Sequence, residues 1–172
     1  MIKVILLGYM GSGKSTIGKL VGEATGIPFL DLDSQIEKEL NSSVTAIFES
    51  KGELLFRKIE HQIVQQIMQT NQSMILSLGG GTPCYFSNHE LFFGENVIAI
   101  YLKASIETLL ERISSSNSNR PLLANKTEVE QKEFIAKHLF DRSYYYHQAQ
   151  YSVVVDAKSP EQIVAEILAI LA

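Results

Sequence analysis

The sequence predicts an α/β protein in which a five-stranded parallel sheet is flanked by helices. Short apolar runs of strand length alternate with longer amphipathic stretches, and this alternation is typical of strands joined by helical crossovers. The 172 residues contain 45% apolar and 20% charged side chains, which is the usual balance of a globular domain. The composition does not shift along the chain, so we expect residues 1–172 to form one domain.

Five apolar runs predict strands, and seven amphipathic segments predict helices. The strands are expected at Ile2–Leu7, Pro28–Leu32, Met74–Leu78, Val97–Leu102 and Ser152–Val155. The helices are expected at Lys14–Thr25, Asp33–Leu40, Val44–Ser50, Glu53–Thr70, Ile106–Ile113, Glu128–His147 and Pro160–Leu171. Gly26 is typical of a helix C-cap, and Ser159 before Pro160 is typical of an N-cap followed by the first helical residue.

Charge and composition bear on partners and location. The formal charge of -4 argues against a nucleic-acid partner, which demands clustered Lys and Arg. Cys84 is the only cysteine, so no internal disulfide can form, and this suits a reducing compartment. The apolar run Val97–Leu102 is far shorter than the roughly 20 residues of a membrane helix, and Ile2–Leu7 is too short for a signal-peptide core. We therefore expect a cytoplasmic protein that contacts neither membrane nor nucleic acid. We also expect a monomer.

Residues 8–15 read GYMGSGKS and match the phosphate-binding pattern G-x-x-x-x-G-K-[ST]. The match follows a predicted strand and opens a predicted helix, which is the context that the pattern needs. Its glycines let successive backbone N–H groups converge on phosphate, and the helix N-terminus adds its own N–H groups and positive dipole end. Lys14 can reach the β- and γ-phosphates, and the Ser15 hydroxyl can bind Mg²⁺. A glycine turn with an incidental lysine would match only roughly once in a few hundred random chains of this length.

Two aspartates, Asp31 and Asp33, end the second predicted strand. In a parallel sheet the carboxyl ends of the strands face the ligand crevice, on the same edge as the phosphate loop. Because side chains alternate along a strand, both carboxylates point the same way and could serve a metal and a substrate hydroxyl. Alternatively, Asp33 only caps the helix that follows.

The middle of the chain contains two further candidates, an arginine on a predicted helix and a run of three glycines. Arg57 has Glu53 four residues before it and Glu60 three residues after it, an arrangement that an ordinary surface salt-bridge array explains equally well. Gly79, Gly80 and Gly81 follow the third predicted strand. They permit close approach of the backbone to a ligand, or they simply make a turn.

The last candidates surround a polar segment. Ser114–Asn119 reads SSSNSN and lacks apolar periodicity, so we expect a mobile surface loop or a plain linker. Arg120 closes this segment, and Arg142 lies late in the helix predicted at Glu128–His147. Neither arginine indicates a function by itself.

In their order and spacing, these motifs resemble those of the shikimate kinase family. From Ile2 to about Ile167 the chain carries G-x-x-G-S-G-K-S-T, D-x-D, F-R-x-x-E, L-G-G-G, R-P-L-L and R-x-x-x-Y. The resemblance implies a three-layer P-loop kinase fold with a substrate-binding helical region at about 33–61 and a mobile lid at about 113–126. It implies transfer of the γ-phosphate of ATP to the 3-hydroxyl of shikimate, a step of aromatic amino acid biosynthesis through the chorismate pathway.

The resemblance also implies roles for individual residues. ATP would contact Gly11, Ser12, Gly13, Lys14, Ser15, Thr16, Arg112 and Arg120, and Mg²⁺ would be held by Ser15 and Asp31. Shikimate would contact Asp33, Arg57, Gly79, Gly80, Gly81 and Arg142. The catalytic groups would be Lys14, Asp33 and Arg120, and residues 156–160 would form a loop on the nucleotide side.

Two other functions are compatible with a phosphate loop. Gluconate kinase also phosphorylates a small polyol acid, but the D-x-D and F-R-x-x-E elements are not arranged in this way in that family. A nucleotide-dependent switch would hydrolyse ATP without an acceptor. A switch, however, rarely needs two arginines and an aspartate directed at one crevice.

Overall fold

The computed structural model of the protein describes residues 1–115 and 126–172, and its centre is a parallel sheet of five strands. The strands are β1 (Lys3–Leu7), β2 (Phe29–Asp31), β3 (Met74–Ser77), β4 (Val97–Lys103) and β5 (Tyr151–Val154). Their order in the sheet is β2-β3-β1-β4-β5, and Val4 of β1 lies between Ile75 of β3 and Ile98 of β4. Every residue of β1 and β3 is buried, as expected for a parallel sheet covered on both faces.

Helices connect the strands. They are α1 (Lys14–Thr25), α2 (Leu32–Leu40), α3 (Val44–Lys51), α4 (Glu53–Gln69), α5 (Ile106–Ser115), α6 (Glu128–Tyr146) and α7 (Pro160–Leu171). The fold class is confirmed, and each predicted helix and strand is present with ends that differ by at most two residues. Two short 3₁₀ helices, Thr82–Cys84 and Asn88–Phe92, were not predicted.

Local sequence signals explain where the helices begin and end. Gly26 ends α1 in the left-handed region at φ 71°, as predicted, where its N–H donates to the carbonyl of Gly22. Ser159 caps α7 with a reciprocal Ser159–Gln162 capping box, and Pro160 is the first helical residue.

The helices pack in groups that position the site. Helix α1 packs against β3 and α7, α5 packs against α6, and α2, α3 and α4 contact one another. The last group covers most of the region 33–61, which sequence predicted to bind the substrate. The apolar core runs through the sheet and includes fully buried Ile5, Leu76 and Ile100. Within residues 1–115 and 126–172, no helix combines the length and apolar character needed to cross a bilayer.

Candidate active site

The phosphate loop joins the end of β1 to the start of α1, at the strand where the sheet order reverses. In open α/β sheets this position marks the ligand crevice. Gly13 is the N-cap of α1 at φ 98°, a left-handed conformation that side chains rarely adopt. Gly8 has no room for a side chain, because a Cβ there would lie 2.7 Å from the carbonyl oxygen of Leu102.

The Lys14 side chain curls back over this loop. Its ammonium group donates to the carbonyls of Gly8 (2.8 Å) and Tyr9 (3.0 Å), and the residue is only 8% exposed. These bonds keep the charged group beside the loop that it is predicted to serve. Arg112 of α5 approaches from the other side, where Nη1 donates to the carbonyls of Gly11 (3.3 Å) and Ser12 (3.2 Å).

Asp31, and not Asp33, caps α2. The backbone N–H of Ser34 donates to Oδ1 of Asp31 (3.2 Å), so the interpretation of Asp33 as a helix cap is wrong. The other oxygen of Asp31, Oδ2, accepts a bond from the Ser15 hydroxyl at 2.6 Å. A hydroxyl and a carboxylate oxygen this close fit Mg²⁺, which prefers oxygen ligands. Water and phosphate oxygens usually complete its coordination. No group of three or more His, Cys, Asp and Glu side chains within the described ranges forms a metal site of its own.

A cleft of about 510 Å³ lies along the carboxyl ends of the strands. The phosphate loop and both aspartates line it, together with Gly79, Gly80 and Arg112. Lys158 and Pro160 contribute from the loop that was predicted to lie on the nucleotide side. One cavity thus joins the phosphate loop to the first two glycines of the predicted acceptor region.

Asp33 lines this cleft and is exposed to solvent there. Desolvation by surrounding protein atoms and the negative charges of Asp31 and Glu60 raise the pKa of Asp33 to about 6, while Lys14 and Arg57 oppose the shift. The carboxylate is therefore ionised at neutral pH but can hold a proton at a pH only slightly lower.

The three glycines 79–81 are the meeting point of the predicted acceptor residues. A Cβ at Gly79 would lie 3.2 Å from Oδ1 of Asp33, and one at Gly80 would lie 3.2 Å from Nη1 of Arg142. A Cβ at Gly81 would overlap the Arg57 guanidinium, at 2.8 Å from Cζ. Side chains from α2, α4 and α6 thus converge on one stretch of backbone, which only glycine leaves open.

Arg57 does not belong to a surface salt-bridge array. It is 7% exposed, and its Nη1 donates to Oε2 of fully buried Glu60 at 2.9 Å. The Thr82 hydroxyl donates to the other oxygen of Glu60 at 2.6 Å. Burial alone would lower the pKa of Arg57, but the charge and hydrogen bond of Glu60 outweigh this effect and raise it. The guanidinium is therefore a permanently charged group in a fixed position.

Arg142 is held by aromatic side chains. Its guanidinium lies over the ring of Tyr9, with 5.4 Å between Cζ and the ring centroid. The buried hydroxyl of Tyr146 donates to the carbonyl of Gly80 at 2.5 Å, which ties the end of α6 to the glycine run. Burial raises the pKa of Tyr146 above its ordinary value, so this hydroxyl stays a donor.

Sequence reasoning missed several supporting residues. Tyr9, Thr82 and Tyr85 pack on or bond to the predicted groups. Tyr9 occupies a position of the phosphate-loop pattern at which any residue is allowed, and Thr82 and Tyr85 lie outside the motifs. The only sequence feature that indicates a role for Thr82 is its position directly after the glycine run. Arg120 and most of the predicted lid lie outside the described residues, so their roles stay predictions.

The sheet order, the phosphate loop and the cleft define the class of the protein as a P-loop kinase, an ATP-dependent phosphotransferase for a small molecule. A family model described as shikimate kinase matches residues 10–172. The chain belongs to the shikimate kinase family.

Individual relatives agree with this assignment. A shikimate kinase of Flavobacterium johnsoniae is 53% identical over 172 residues, with full coverage of both chains. The crystal structure of a shikimate kinase from Bacteroides thetaiotaomicron is 31% identical, has a TM-score of 0.91 and aligns over 99% of this chain and 98% of its own. A shikimate kinase from Acinetobacter baumannii in complex with shikimate is 28% identical, with a TM-score of 0.87 over 99% of this chain and 93% of its own.

Proposed function

We propose that the protein transfers the γ-phosphate of ATP to the 3-hydroxyl of shikimate, giving shikimate 3-phosphate and ADP. One observation carries this proposal. Two guanidinium groups and one carboxylate, from three distant segments, meet along Gly79–Gly81 beside the phosphate loop. Family membership and the similarity to a relative that binds shikimate support the same acceptor.

The chemistry of the acceptor matches these groups. Shikimate is a small ring with one carboxylate and three hydroxyls, so its site needs cations at one end and hydrogen-bond acceptors at the other. Arg57 and Arg142 hold the carboxylate, because a planar guanidinium pairs with it through two parallel bonds. The backbone of Gly79–Gly81 contacts the ring, and Asp33 accepts a hydrogen bond from the reacting hydroxyl.

The nucleotide occupies the other end of the cleft. Lys14 and the backbone N–H groups of residues 11–16, which include Thr16, hold the phosphates, and Arg112 packs on the adenine side. Ser15 and Asp31 would hold Mg²⁺, which would supply positive charge to offset that of the phosphates. Arg120 would add a second positive charge near the transferred group, and this role rests on the sequence resemblance.

Asp33 orients the attacking oxygen and takes up its proton during or after transfer. Phosphoryl transfer passes through a loose transition state, so alignment matters more than early removal of the proton. A carboxylate with a pKa of about 6 suits this task, because it is ionised at neutral pH and still able to accept a proton.

The deciding experiment compares ADP formation from Mg²⁺–ATP with shikimate, with gluconate and with no acceptor. We expect rapid ADP formation only with shikimate, and ³¹P NMR should identify the product as the 3-phosphate. Equal turnover of gluconate would reassign the acceptor. ADP release at the same rate without any acceptor would support a nucleotide-dependent switch instead.

We further propose that the protein acts in the cytoplasm as a monomer, without nucleic acid or membrane. A single cysteine suits a reducing compartment, and a net charge of -4 argues against nucleic acid. Light scattering coupled to gel filtration at the concentrations used for assay would detect a dimer if one forms.

A further inference from the structure

The edge of Arg57 that a ligand can use is narrow. A guanidinium offers two pairs of parallel donors, one formed by both terminal nitrogens and one formed by Nε and Nη2. Glu60 already takes Nη1, at 2.9 Å. Within the described ranges Nε is buried and makes no hydrogen bond. Nε and Nη2 are therefore the donors that Glu60 leaves unused, and a carboxylate can reach Nε only when the side chains that cover it move aside.

A carboxylate of the protein lies close to this same edge. Oε1 of Glu53 is 3.6 Å from Nε of Arg57, too far for a hydrogen bond but close enough for ionic attraction. The Glu53 side chain is 55% exposed, at the first turn of α4, so little packing holds it there. A small rotation would bring Glu53 into contact with Nε, where it would compete with a substrate carboxylate.

Tyr85 opposes that rotation. Its hydroxyl donates to the same oxygen of Glu53 at 3.0 Å. Its ring lies against the Arg57 guanidinium, with 4.5 Å between Cζ and the ring centroid. The proximity of Glu53 raises the pKa of Tyr85, after the larger effect of burial, so the phenol remains protonated and keeps donating. One side chain thus braces the arginine and restrains its competitor.

We propose that Tyr85 is a positioning residue that keeps Glu53 away from Arg57, and that this restraint sets the affinity for the acidic acceptor. The proposal rests on the role of Arg57 given under the proposed function. Loss of the hydroxyl frees Glu53 to pair with Nε, so the substrate must displace it. Loss of the Glu53 charge removes the competitor and makes the hydroxyl of Tyr85 dispensable.

The test is a double-mutant cycle of Tyr85→Phe and Glu53→Gln, read as kcat, KM for shikimate and KM for ATP. Phenylalanine keeps the ring on the guanidinium. Since an exposed ion pair is weak, Tyr85→Phe should raise KM for shikimate about twofold to fivefold, with kcat and KM for ATP little changed. In the Glu53→Gln background the same substitution should have no effect on KM.

Each outcome decides the matter. A rise in KM that persists in the Glu53→Gln background would mean that Tyr85 acts through packing alone, and an unchanged KM in Tyr85→Phe would reject the restraint. Tyr151→Phe is the matched control, because Tyr151 is 45% exposed on β5, at the opposite end of the strand order from β2. If Arg57→Ala leaves KM for shikimate unchanged, the proposed function of Arg57 fails. If Arg57→Ala raises KM but Tyr85→Phe does not, only the restraint fails.

Discussion

The two halves of the cleft are built in different ways. The proposed phosphate-binding surface of the nucleotide half is one continuous stretch, residues 8–16, which supplies backbone N–H groups and a helix N-terminus. The acceptor half continues from the cleft past Gly80 and combines side chains from α2, α4 and α6 around the glycine run. A local pattern can therefore specify the first half, whereas the second exists only when the whole domain is folded.

The halves also differ in how their charged groups are held before a ligand arrives. Lys14 bonds to two carbonyls of its own loop, and Ser15 bonds to Asp31, so these partners can be exchanged for phosphate and metal. Arg57 is fixed by a buried ion pair with Glu60, which Thr82 completes. The nucleotide half should thus adapt when its ligand binds, and the acceptor half should already have its final shape.

Removing the loop cation should produce the largest effect. Lys14→Ala takes away a positive charge at the transferred phosphate, and loss of one such stabilising group lowers kcat by about a hundredfold to a thousandfold. The fold should survive, because the ammonium group of Lys14 donates to carbonyls of the phosphate loop and is not part of the apolar core. Lys19→Ala, an exposed lysine on α1, is the control for a general change in charge. A kcat close to that of the unmodified protein would contradict the role of Lys14.

Truncation on the acceptor side should change a different kinetic constant. Arg57→Ala removes charge-assisted hydrogen bonds that contribute about 1.5 to 3 kcal/mol, so KM for shikimate should rise roughly tenfold to a hundredfold. KM for ATP should hardly change, since Arg57 lies beyond the glycine run from the phosphate loop. The neighbouring exposed lysine supplies the control, as Lys58→Ala. Equal increases in both KM values would mean that the halves are not separable.

Most of the fold could be predicted because its signals are local. Apolar periodicity and cap residues located the strands and helices to within two residues. The 3₁₀ helices at Thr82–Cys84 and Asn88–Phe92 could not be predicted. They are too short for a period, and tertiary bonds such as Asn88 to His61 (2.6 Å) hold them.

The acceptor half shows where sequence reasoning stops. Glutamates at Glu53 and Glu60 around Arg57 occur equally on a solvated helix, and only tertiary packing shows that one of them is fully buried. Likewise, Asp31 and Asp33 are both suitable caps. The choice depends on the residue at which α2 begins, which is Leu32 and therefore leaves Asp33 free for the cleft.

Asp33, which lies between the two halves, should make the reaction rate depend on pH. Asp33 borders both, and its pKa of about 6 places loss of the proton well above the ordinary aspartate value of about 3.9. If the ionised form is active, kcat/KM for shikimate should fall about tenfold per unit below pH 6 and be level above it. A phosphate group also titrates near 6, so the rate profile alone does not show whether Asp33 or ATP is titrating. A ¹³C NMR titration of the ligand-free protein follows Asp33 without ATP, and Asp33→Asn assigns its signal. A carboxyl pKa near 4 in that titration would contradict the prediction.

The smallest expected effect is a gain in stability when the same carboxylate is removed. Because folding raises the pKa of Asp33, the folded protein binds the proton more tightly than the unfolded chain does between about pH 4 and 6. Ionisation of Asp33 therefore lowers the free energy of unfolding. This destabilisation is absent below pH 4, grows between pH 4 and 6, and is constant above pH 6. Asp33→Asn should raise Tm at pH 7.5 by only about 1 to 3 °C, since water still reaches the side chain, and by less at pH 4.5. Asp141→Asn, at an exposed position on α6, controls for loss of one negative charge. A lower Tm for Asp33→Asn at pH 7.5 would mean that Asp33 stabilises the fold. A higher Tm together with lost turnover would mean that Asp33 serves catalysis at the expense of stability.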